Sequence, residues 1–174
     1  VYHRRATIRK SLWILGMCFL GNALGGLLMA LLLKFSSLGE GGLGEQMNLA
    51  VEHKLSYVSE GAAGMGDLFV RAILCNFMIN LAMLLVYNGL IKDDLTKCLV
   101  MIVSVFIFAF VGFEHSVANT VVFTIVGLGG GIDVGLALGN VGIALLGNFV
   151  GGGLLIGLYY AYVNDDGKYR QHDV

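Results

Sequence analysis

Long apolar runs separated by short polar stretches organise this chain. Residues 11–33, 72–91, 98–113, 116–132 and 134–164 carry no Asp, Glu, Lys or Arg. A bilayer core of about 30 Å takes about 20 helical residues to cross. The runs therefore predict spans at 11–34, 72–91 and 141–163, with 134–140 as a loop leading into the last. The region 98–132 is too long for one ordinary span, and Glu114 and His115 sit near its middle. Two half-length apolar pieces meeting at polar groups mark a discontinuous helix. The expected element is a span over 98–127, broken near 108–116. Irregular backbone at that depth must be buried in protein or line a cavity.

Basic residues give an orientation, because they favour cytoplasmic loops. Arg4, Arg5, Arg9 and Lys10 precede the first span, Lys92 and Lys97 precede the broken one, and Lys168 and Arg170 follow the last. The stretch 36–70 holds Lys54 against Glu40, Glu45, Glu52, Glu60 and Asp67. This places the start, the 92–97 loop and the C-terminus in the cytoplasm, and the acidic loop outside. The run Gly21-Asn22-Ala-Leu-Gly25-Gly26 recurs as Gly147-Asn148-Phe-Val-Gly151-Gly152. By the charge rule the two copies run in opposite directions, as in an inverted-topology repeat. Three spans end with the second copy and one with the first, so the chain reads as a piece lacking two upstream spans.

Composition agrees with a membrane setting. Of 174 residues, 57% are hydrophobic and 13% charged, with 26 Gly and no Pro; soluble domains carry about 25% charged residues. The net charge is −1, and no clustered basic face suggests nucleic acid. Cys18, Cys75 and Cys98 form no CxxC pair and read as small apolar side chains. The Gly39–Gly44 run fits a dinucleotide-binding motif by letter only, without a strand before it, and reads as a flexible external loop. No nucleophile–base pair, metal cluster or cofactor motif appears, so no enzyme is expected.

His115 and Glu114 are the acid–base pair deep in an apolar run. An ionisable side chain inside a membrane is a functional candidate because its burial is costly; a hydrogen-bonded pair that ties the break together is the other reading. A neutral imidazole can donate a hydrogen bond and can gain a proton near neutral pH, which suits an anion at mid-membrane. Glu114 is expected to point away from any anion path and to be hydrogen-bonded. Asn119 and Ser116 could satisfy freed backbone groups. Asn22, Asn76 and Asn148 read as interhelical hydrogen-bonding groups. Phe106, Phe108 and Phe110 are either lipid-facing or a hydrophobic gate. Lys54, taken alone, reads as solvated.

Gly112-Phe-Glu-His-Ser-Val-Ala-Asn119 resembles the hallmark of the formate/nitrite transporter family. Its surroundings fit in order, with His53-Lys54, Ile73-Leu-Cys-Asn76, Lys97 and Gly147-Asn-Phe-Val-Gly-Gly-Gly-Leu-Leu-Ile-Gly157. The resemblance covers about 11–162. It implies an aquaporin-like inverted-repeat helical bundle forming a single transmembrane domain in the plasma membrane. It also implies a homopentamer with a pore for small anions in each protomer: formate first, nitrite next, with hydrosulfide behind. By the same resemblance His115 is the central pore histidine, Phe108 lies at the cytoplasmic constriction, and Asn119 is the motif asparagine. Lys54 then draws anions to the outer mouth, and Asn76 and Asn148 are pore-side asparagines. Thr120 stands where a methionine commonly follows, and the family's first two spans have no counterpart here. The inverted repeat alone would also allow a neutral-solute channel of aquaporin type, although such channels rely on Asn-Pro-Ala motifs. A non-transporting fragment is the third reading.

Overall fold

A computed structural model describes residues 7–37 and 41–164. The elements are α1 (Ile8–Lys34), α2 (Gly42–Ser59), α3 (Ala62–Tyr87), α4 (Asp94–Phe110), α5 (Ser116–Gly130) and α6 (Val134–Asn148). A π-helical stretch, Phe149–Leu158, continues α6 into α7 (Tyr159–Val163). Among the described residues there is no strand, and the protein is an all-α membrane protein. Ile8–Lys34, Ala62–Tyr87 and the continuous Val134–Val163 are each long and apolar enough to cross a bilayer. At about 1.5 Å per residue the first of them reaches about 40 Å.

Side-chain caps set several starts. Thr7 accepts from the Lys10 amide, Asp93 from Thr96 and Asp133 from Leu136, each satisfying a donor that helix geometry leaves free. Asp133 is why helix begins at Val134, where the sequence suggested a loop through 140. A second difference is larger. The stretch 36–70, expected as an external loop, contains α2 and the first turns of α3. Its acidic residues hid an amphipathic helix whose Val51 and Tyr57 are buried. Gly42 and Gly44, read as flexible loop, lie inside α2. Gly39, Glu40, Arg4, Arg5, Lys168 and Arg170, which entered the loop and charge readings, lie outside the described residues.

Close helix contacts are made by small residues, as in membranes where no hydrophobic force distinguishes helix from lipid. A Cβ on Gly147 would stand 2.7 Å from the Phe69 carbonyl, and one on Gly151 would collide with the carbonyl of Ile73. These two glycines let α6 and the π stretch lie directly on the α3 backbone. A Cβ on Gly26 of α1 would come 3.2 Å from Cα of Val121 in α5. Val51, Phe123 and Ala137 form a small apolar core where α2, α5 and α6 meet.

Candidate functional site at the helix break

α4 stops at Phe110 after 17 residues and α5 runs for 15 residues from Ser116, each shorter than the about 20 residues of an ordinary span. Gly112 turns the chain with φ +70, a backbone conformation that favours glycine. The Phe113 amide donates back to the Phe108 carbonyl at 3.0 Å. His115 takes the N-cap position of α5 but its side chain caps nothing. Asn148 does that work from α6: its Oδ1 accepts from the Ser116 amide at 2.9 Å. Its Nδ2 donates to the carbonyls of Glu114 and Ala72, both at 2.9 Å. Asn76 donates in turn to the Asn148 carbonyl at 3.0 Å. One amide side chain thus ties the break to α3 and α6.

Glu114 is 1% exposed, and its side chain anchors a closed ring of polar contacts. Lys54 Nζ donates to Glu114 Oε1 at 2.8 Å. Asn119 Nδ2 donates to Glu114 Oε2 and to Asn140 Oδ1. Asn140 Nδ2 closes the circuit on the Lys54 carbonyl at 2.8 Å. Among the described residues every buried side-chain nitrogen and oxygen has a hydrogen-bond partner. That completeness matters, because a half-satisfied buried network costs more than an apolar core. The sequence reading left Lys54 as a solvated or anion-drawing cation. The structure pairs its ammonium with Glu114, so it is not simply solvated.

The His115 ring stands apart from this network. It is half-buried, edge-on to Phe108 with ring centroids 6.5 Å apart. Among the described residues nothing hydrogen-bonds to it. It lines a cavity of about 380 Å³ together with Phe108, Phe113, Val122, Ala109 and Ala118, with His53, Lys54, Glu114 and Asn119 also at the wall. Phe106 and Phe110 stack on each other on an exposed face at 5.5 Å and do not line the cavity. Asn76 and Asn148 do not line it either; their amides go to backbone carbonyls and brace the break. Asn22 bonds within its own helix, to the Cys18 carbonyl.

Sequence reasoning missed two participants. Asn140 was assigned to a loop, yet it lies eight positions before Asn148, so helical spacing alone places both on one face. Arg71 fell at the edge of an expected span and was not weighed. Its guanidinium reaches the carbonyls of Val111 and Gly112, both at 3.3 Å.

The family profile described as Formate/nitrite transporter matches residues 1–162. The chain belongs to the formate/nitrite transporter family. It is 29% identical over 166 residues to the uncharacterized transporter YwcJ of Bacillus subtilis, covering 94% of this chain and 62% of that protein. It is 34% identical over 110 residues to the formate channel FocA of Haemophilus influenzae, covering 62% of this chain and 35% of that one. To the formate channel FocA of Escherichia coli K12 it is 27% identical over 165 residues, covering 82% and 55% respectively. The chain thus spans less than two thirds of the length of these curated relatives. Membership of a transporter family lends no support to an enzymatic activity.

Proposed function

We propose that the whole protein passes small monovalent weak-acid anions across the plasma membrane, formate first and nitrite next. In this reading each protomer of a homopentamer holds one pore, with His115 at its centre and Phe108 beside it. The observation that carries the reading is the unbonded imidazole at the wall of a mainly apolar cavity, beside a break whose buried side-chain polar groups are all engaged. Glu114, Lys54, Asn119, Asn76 and Asn148 shape and brace that wall.

The mechanism follows from solvation. A bare anion entering an apolar passage loses water that nothing replaces, at a cost of several kcal/mol or more. A weak acid that picks up a proton no longer carries that cost. An imidazole can donate a hydrogen bond when neutral and a proton once it has gained one, so in this reading His115 offers either to a carboxylate at the narrow point. Basic residues before α1 and α4 put their own side and the C-terminus in the cytoplasm. α2, with Lys54, then faces the outer mouth.

The test is permeation by the full-length protein in proteoliposomes. Formate and nitrite flux well above that of glycerol is expected. Glycerol flux equal to formate flux would replace the anion pore with a neutral-solute channel. Absence of any flux, with the protein folded and inserted, would overturn the transport reading.

A further inference from the structure

We propose that Arg71 is a positioning residue that grips the helix break from α3 and so fixes the direction of the His115 ring; the link to transport rests on the function proposed above. The last carbonyls of any α-helix lack partners within the helix. At membrane depth water does not supply them. α4 ends there, and Arg71 Nη1 lies 3.3 Å from both the Val111 and the Gly112 carbonyl oxygens. A cation at a helix C-terminus also meets the negative end of the helix dipole.

The guanidinium is itself held by two neighbours. Its Nε donates to Asp67 Oδ2 at 2.9 Å, one turn earlier on α3. Its Cζ lies 5.6 Å from the centroid of the Tyr57 ring. Tyr57 is 5% exposed and its hydroxyl pairs with His53 Nε2 at 3.1 Å on α2. Lysine has no fork with which to meet a carboxylate and two carbonyls together.

The neighbouring residue completes the grip. Asn148, which bonds the Glu114 carbonyl and the Ser116 amide, is anchored on the Ala72 carbonyl. Positions 71 and 72 of α3 therefore hold both ends of the break. Of the residues that line the cavity, Phe113 lies between the two grips, and His115 lies between the two residues that Asn148 holds.

The experiment uses the full-length protein in vesicles with Arg71→Gln, Arg71→Lys and Asp67→Asn. Hydrogen exchange over residues 108–120 reads the grip directly, and formate uptake against pH reads its consequence. Arg71→Gln is expected to speed exchange at the 111–113 amides about tenfold while the rest of the protein stays unchanged. Arg71→Lys should fall between it and wild type, and Asp67→Asn should stay near wild type. The pH of half-maximal uptake should move for Arg71→Gln and hold for Asp67→Asn. Unchanged exchange at 111–113, or faster exchange spread evenly over all helices, would overturn the proposal. So would reduced uptake with an unmoved pH profile. If the wild type carries no formate, the function proposed above fails, and the exchange comparison still decides whether Arg71 grips the break.

Discussion

The Gly-Asn-x-x-Gly-Gly run occurs once in α1 and once at the α6–π junction, and the two copies behave differently. At the junction, Gly147 and Gly151 rest on the α3 backbone, and Asn148 is 4% exposed with three interhelical contacts through its side chain. In α1, a Cβ on Gly21 or Gly25 meets nothing within 4 Å, and Asn22 bonds to its own helix. Only Gly26 is seated, against Val121. The same letters therefore encode a capacity for close contact. Chemistry arises where a neighbouring element takes it up, as the helix break does with Asn148.

The largest expected effect lies in the network that the second copy supports. Lys54→Met leaves the Glu114 carboxylate buried without its cation, and should cost about 3–5 kcal/mol. Thermal unfolding in detergent reads this; a melting point within a degree of wild type would mean Glu114 is held by the asparagines alone. Next comes the seat itself. Gly151→Ala drives a methyl into the Ile73 carbonyl and should cost about 3 kcal/mol, while Gly25→Ala should change stability by about 0.5 kcal/mol or less. An equal loss from both would erase the contrast and show that the α1 glycine face is occupied too.

A smaller step separates the two asparagines. Asn148→Ala removes the cap on Ser116 and the bonds to two carbonyls, and should cost about 2–3 kcal/mol, with Asn22→Ala near zero in the same melt. The smallest effect is at the edge of the bundle. Hydrogen bonds from the Thr96 hydroxyl and amide hold the exposed Asp93 carboxyl below its usual range. A depressed acid stabilises the folded form above its unfolded pKa, and this contribution is lost as pH falls through the folded value. Asp93→Asn should therefore flatten the acid limb of α4 stability slightly, seen as loss of the pH dependence of exchange at 94–97. An unchanged dependence would assign that limb to another group.

The apolar runs and the polar interruption at 114–115 made the all-α membrane class and the broken element legible, because burying backbone and charge in lipid restricts the options so strongly. The GFEHSVAN run made the family legible. α2 was not legible, because Glu45, Glu52 and Glu60 resemble a solvated loop until Val51 and Tyr57 are seen packing inward. The partner of Lys54 was hidden for the same reason: a lone cation among acids looks solvated, and Glu114 is sixty positions away. Asn140 was hidden by an assumed loop, and Arg71 by a span boundary drawn one residue after it. In each case a contact between distant segments decided what local composition could not.

The central claim is that a braced helix break presents the His115 imidazole to an apolar passage and lets a weak acid cross as a neutral species. Formate uptake into proteoliposomes, measured against external pH for the wild type and His115→Ala, tests it most directly. Uptake should rise as pH falls for the wild type and lose that dependence in the variant. Proton-coupled uptake of equal size and slope in both proteins would contradict it.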